Sequence, residues 1–147
     1  MKKIVLLPLD ERPCNYIYPQ QLFNNEEITT VLPSMEIMGN RKQPGDHEKI
    51  VEFLMKETKD AYGLVISIDT FLYGGIVPSR LHYFTVEQLK ERLAELRKIK
   101  ENNPNLIIYA SHLIMRCPQL SLSFEEPDYY AECGKEIFKY GYFKHRK

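Results

Sequence analysis

The stretch that decides the fold is Leu64-Val65-Ile66-Ser67-Ile68-Asp69-Thr70-Phe71-Leu72-Tyr73-Gly74-Gly75-Ile76-Val77-Pro78-Ser79-Arg80. Leu64 to Ile68 is a short apolar run rich in β-branched residues. It reads as a strand buried on both faces, because a half-exposed strand would alternate apolar with polar. The run stops at Asp69, and the residues after it read as a glycine-rich loop carrying Tyr73, Gly74, Gly75, Pro78 and Arg80. Open parallel sheets and barrels both place ligands beside an acid at the carboxyl end of a buried strand. The stretch therefore locates a site without naming a reaction.

Strand-then-helix units extend from it in both directions. Lys3 to Leu9 is the first predicted strand, followed by Asp10-Glu11-Arg12-Pro13-Cys14-Asn15 and a short helix or turn around Pro19 to Phe23, proline being tolerated in a first helical turn. Ile28 to Leu32 is the second strand. Met35 to Gly45 reads as loop, broken by Gly39-Asn40 and Pro44-Gly45. Asp46 is a good N-cap for a helix from His47 to about Asp60. On the far side of the central stretch, Thr85 and Gln88 have capping-box spacing. The helix they open has Val86, Leu89, Leu93 and Leu96 on one face, and it ends before Asn103-Pro104. Leu106 to Ala110, with an extension towards Ile114, is the fourth strand. An acidic Glu125-Glu126-Pro127-Asp128 then starts a tyrosine-rich last helix. Four βα units imply an α/β fold with a parallel sheet and right-handed crossovers. Two architectures fit, a doubly wound sheet or the first half of a (β/α) barrel.

Composition narrows the class. The 147 residues suit one α/β domain, and 20 Lys and Arg balance 20 Asp and Glu. With no net field and no nucleic-acid motif, neither nucleic acid nor an anionic membrane is an expected partner. No run approaches the ~20 apolar residues of a membrane span. Cys14, Cys117 and Cys133 are odd in number and widely spaced, which argues against a disulfide framework and for a reducing, cytoplasmic setting.

Several motifs together resemble a known bacterial family. They are Pro8-Leu9-Asp10-Glu11-Arg12-Pro13-Cys14-Asn15, the Pro44-Gly45-Asp46 step, Ser67-Ile68-Asp69 through Tyr73-Gly74-Gly75 to Ser79-Arg80, and Met115-Arg116 through Glu125-Glu126-Pro127-Asp128-Tyr129-Tyr130. The chain resembles, over nearly its whole length, the domain-of-unknown-function family numbered 4127. The resemblance assigns no activity. It implies the amino-terminal part of a longer polypeptide, since members of that family are much longer. One departure is Cys133-Gly134, where an aromatic is expected before the glycine.

Candidate site residues are assigned on strand-end position and chemistry, each with a bland alternative. Asp10 and Asp69 are the candidate catalytic carboxylates, and Glu11, Arg12 and Asn15 the candidate substrate contacts beside Asp10. Against this, Arg12 pairs locally with an acid and Asn15 caps a turn. Asp69 likewise caps the amides that come after it. Gly74 and Gly75 allow close backbone approach or a positive φ, but neither G-x-G-x-x-G nor a Walker pattern is present. Tyr73, Arg80 and Arg116 are candidates to stack on or fork to a ligand. His82 is a candidate acid or base, with packing as its ordinary role; His47 at a helix start and His112 inside the fourth strand are weaker.

The expectation is an enzyme, a hydrolase acting on a small polar, sugar-like substrate with two carboxylates dividing acid and base roles. Metal-assisted hydrolysis through Asp10 and Asp69, with a divalent metal as cofactor, is the second enzyme reading. A non-catalytic ligand-binding or sensing module is the third. The tail has no C-cap glycine and is crowded with aromatics. The chain is therefore expected to be a truncated piece, inactive alone, whose exposed face meets the missing carboxyl-terminal part of the polypeptide or self-associates. Tyr130, Cys133, Ile137 and Tyr140 are expected to cover the sheet at helical spacing.

Overall fold

β1 (Lys2–Leu7), β2 (Ile28–Val31), β3 (Gly63–Ser67) and β4 (Ile107–Ser111) form one all-parallel sheet in the order β2-β1-β3-β4 in the computed structural model, which describes residues 1–146. The helices are α1 (Pro13–Phe23), α2 (His47–Glu57), α3 (Ile68–Tyr73), α4 (Pro78–Leu81), α5 (Val86–Asn102) and α6 (Tyr130–His145). The chain divides into two compact units, residues 1–112 with the whole sheet, and residues 113–147.

The strand order decides between the two architectures. A barrel would place strands in sequence order, whereas here β1 lies between β2 and β3. The chain steps from β1 out to β2, then back across β1 to β3 and on to β4. Right-handed crossovers then put α1 on one face of the sheet and α2 and α5 on the other. This is a doubly wound sheet, and its order reverses between β1 and β3.

The core lies under α2, α3 and α5. In register, Val5 sits beside Leu64 and Leu7 beside Ile66. All four are buried and pack with Ile50, Leu54, Phe71 and Ile99. The opposite face carries the rows Ile4–Gly63–Ile107 and Leu6–Val65–Tyr109. There the expectation that the third strand is buried on both faces is wrong: Val65 is 39% exposed and Tyr109 68%. The reason is coverage. Of the sheet strands, α1 packs chiefly against β2 and buries none of its own residues, so unit 1 leaves β3 and β4 open on that side.

Other differences are local. The third strand ends at Ser67, and a helix replaces the loop expected after Asp69. Ser67 caps that helix, its hydroxyl accepting from the Thr70 amide at 3.4 Å. The first helix begins six residues earlier than Pro19, at Pro13, where a missing N–H costs nothing; Pro19 therefore lies inside it. The α5 capping box forms as expected, with Thr85 and Gln88 bonding reciprocally. Its predicted apolar face splits, because Leu89 and Leu96 pack on the core while Val86 and Leu93 are exposed.

In unit 2, the segment after β4 is strapped to α6. The Ser121 hydroxyl accepts from the Lys135 amide at 3.2 Å, and Gly134 lies so close to the segment that a Cβ would stand 3.0 Å from the Leu120 carbonyl oxygen. Tyr130 is buried, but Tyr140, expected to cover the sheet, is 71% exposed.

Candidate functional site

Carboxyl-terminal ends of parallel strands are where a doubly wound sheet opens a crevice, above all where the strand order reverses. Here that point lies between β1, whose exit loop carries Asp10, and β3, which runs straight into α3 with Asp69 in its first turn. The Thr70 hydroxyl donates to the Leu9 carbonyl at 2.6 Å and ties the two exits together.

Asp10 is buried and fully engaged. Its Oδ2 accepts from Arg12 Nε at 2.7 Å and lies 2.5 Å from Arg12 Nη2, and its Oδ1 accepts from Asn15 Nδ2 at 2.7 Å and from the Arg12 amide at 3.1 Å. Burial alone would raise its pKa; the Arg12 and Asn15 hydrogen bonds and the Arg12 charge outweigh that and hold it below the ordinary carboxylate value. Arg12 and Asn15 thus fold the β1–α1 loop around Asp10. Glu11 accepts from the Arg41 amide at 3.0 Å, and Arg41 takes a left-handed φ of 48°.

Asp69 is also buried, and its Oδ1 lies 3.8 Å from Nε2 of His112, an imidazole whose side chain is 54% exposed. The pairing register explains the meeting: Ser67 stands beside Ser111, so the residues just past both strands emerge together. A ring ladder continues from His112. Its ring lies 6.5 Å from that of Tyr73, Tyr73 stacks on His82 at 4.4 Å, and His82 stacks on Phe84 at 5.7 Å. The guanidinium of Arg92 caps the row 4.0 Å from the Phe84 centroid. His82 is held below the ordinary imidazole value by burial and then by the Arg92 charge.

Gly74 and Gly75 have a structural use. Gly74 ends α3 with φ 88°, its amide donating to the Thr70 carbonyl at 2.8 Å. A Cβ there would stand 2.6 Å from the Gly45 nitrogen and 2.7 Å from Pro44 Cβ. The Pro44-Gly45 step and the Gly74-Gly75 turn therefore lock together, and Gly45 N donates to Gly74 O at 2.9 Å. Gly75 also takes a positive φ, 143°. Arg80 lies half-buried on α4. Arg116 belongs to unit 2, where its guanidinium holds Glu126 Oε1 at 2.9 and 3.0 Å.

Sequence reasoning underrated His112 by placing it inside the fourth strand. The strand ends one residue earlier, so His112 satisfies the same strand-end rule that singled out Asp69. Arg92 was missed altogether, although a cation at helical spacing between Leu89 and Leu96 is a readable signal. Among the described residues no group of three or more His, Cys, Asp or Glu is gathered to hold a metal ion, and no helix is long and apolar enough to cross a membrane.

No curated protein and no solved structure matches the chain. The family model described as "Protein of unknown function (DUF4127)" matches residues 4–147, nearly all of the sequence, and the chain belongs to that family.

Proposed function

We propose that the carboxyl edge of β1, β3 and β4 is the site of a hydrolytic enzyme for a small polar, sugar-like substrate, with Asp69 and His112 as its proton-transfer pair. The observation that carries this reading is the buried Asp69 carboxylate 3.8 Å from the exposed imidazole of His112. In it, His112 takes a proton from water or a substrate hydroxyl, and the Asp69 carboxylate balances the imidazolium that forms. The phenol and imidazole rings of Tyr73 and His82 supply apolar ring surface beside polar atoms, the combination that a polyhydroxylated ring requires. Asp10, with both oxygens engaged by Arg12 and Asn15, serves to shape the loop rather than to move protons. That arrangement favours proton transfer over metal-assisted hydrolysis through Asp10 and Asp69.

The test is turnover of a panel of 4-nitrophenyl glycosides and esters, with and without added divalent cations, by the full-length protein and by its Asp69→Asn and His112→Gln variants. Each substitution is expected to lower turnover by about 10²- to 10⁴-fold, the usual contribution of a positioned acid or base, with the unfolding midpoint nearly unchanged. A pure binding or sensing module would bind glycosides without turnover. A several-kcal/mol loss of stability in Asp69→Asn would mark the carboxylate as structural and sink the proposal.

A further inference from the structure

α3 carries both Asp69 and Tyr73, yet it is only six residues long. A helix of that length is not self-supporting in water, and its last carbonyls have no partner of their own. One is closed by the cap residue of the helix itself, and two are met from elsewhere in the fold. The Thr70 carbonyl takes the Gly74 amide at 2.8 Å. The Phe71 carbonyl lies 3.0 Å from His47 Nδ1, the first residue of α2. Because a carbonyl only accepts, Nδ1 carries the proton and donates. The Leu72 carbonyl accepts from Arg92 Nη1 on α5. Each donor is itself braced: His47 meets the Phe71 ring edge-on at 5.7 Å, and Arg92 lies over Phe84 at 4.0 Å.

We propose that His47 and Arg92 are positioning residues of this site, clamping the carboxyl-terminal end of α3 from α2 and α5 so that Tyr73 and Asp69 face His112. This rests on the site reading above and adds to it the device that sets the geometry. Arg92 is suited to the task, since one planar guanidinium donates to a carbonyl and stacks on an aromatic ring together. No substrate contact is assigned to either residue.

The chain has only four histidines, so its imidazole carbon–proton signals are few enough to assign one by one. Two readouts on the full chain test the clamp. The first is hydrogen exchange of the Gly74 amide, expected to speed up roughly 10- to 100-fold in Arg92→Met while amides of α2 keep their protection, because one carbonyl of the turn loses a charged donor. The second is the ring-current displacement of His112, measured as the change in its signal when Tyr73→Leu removes the ring. Arg92→Met is expected to abolish most of that displacement. Arg92→Lys, which can still donate to the carbonyl, is expected to restore part of it. Phe84→Leu, which removes the shelf without touching α3, is expected to weaken it should Arg92→Met fail to fold. If the displacement is present in the natural chain and unchanged in Arg92→Met and Phe84→Leu, the clamp is refuted and the site stands. If Tyr73→Leu moves nothing even in the natural chain, the ring ladder is absent and the site geometry itself falls.

Discussion

Thr70 Oγ1 donates to the Leu9 carbonyl at 2.6 Å across 61 positions of sequence, joining the exits of β1 and β3 where the strand order reverses. Thr70 is fully buried, so its hydroxyl has no water to turn to, while Leu9 is half-buried. Thr70→Val keeps the shape and removes the donor. It is expected to cost about 0.5–1.5 kcal/mol, the net worth of one hydrogen bond to a half-buried carbonyl, measured by urea unfolding. A change near zero would mean that the two exits are not coupled through this bond.

The two faces of β3 should respond differently to truncation. Leu64→Ala opens a cavity against Ile50 and Leu54 and is expected to cost about 2–5 kcal/mol. Val65→Ala, on the open face, should cost under about 1 kcal/mol, because a partly exposed side chain leaves no cavity behind. Equal losses in denaturant unfolding would show that both faces are covered in solution.

Gly74 is expected to be the most sensitive glycine of the site. Alanine there would be strained at φ 88° and would drive its Cβ to 2.6 Å from the Gly45 nitrogen. A loss of about 2–4 kcal/mol in Gly74→Ala is expected, from backbone strain plus a clash that only backbone movement relieves. Gly75→Ala meets ordinary contact at 3.5 Å from Pro78 Cδ and carries the backbone term alone, so it should cost less.

Stability should vary with pH in two windows. Asp10 has a lowered pKa in the folded state, so its stabilisation is complete above the unfolded carboxylate value of about 3.9 and is lost as pH falls through the folded one. The stability gap between the natural chain and Asp10→Asn should therefore close below about pH 4. His47 and His82 are lowered too, chiefly by burial and then by the Arg92 charge. For a depressed imidazole the unfolded chain binds the proton first, so stability declines as pH falls below about 6.5. His82→Phe should flatten that decline; an unchanged slope in pH-dependent urea unfolding would contradict the burial of the ring.

Much of the outline was legible in residue order. Apolar runs ending at acids, Asp46 ahead of a helix, and the Thr85–Gln88 capping box mark strands and helix starts because these signals act within a few residues of chain. Local pattern also picked Asp10 and Asp69 as strand-end acids. What it could not do was order the strands, since β1 meets β3 through a register that no local propensity encodes. That order alone separated a doubly wound sheet from a half barrel, and the packing of α1 chiefly on β2 left Val65 exposed beside buried neighbours. The same long-range pairing, Ser67 beside Ser111, brought His112 to Asp69, and the docking of α2 and α5 brought His47 and Arg92 to the end of α3. Which residues carry chemistry was written in their types. Which of them meet was decided by packing between segments far apart in the chain, where burial and sheet hydrogen bonding act on the whole fold at once.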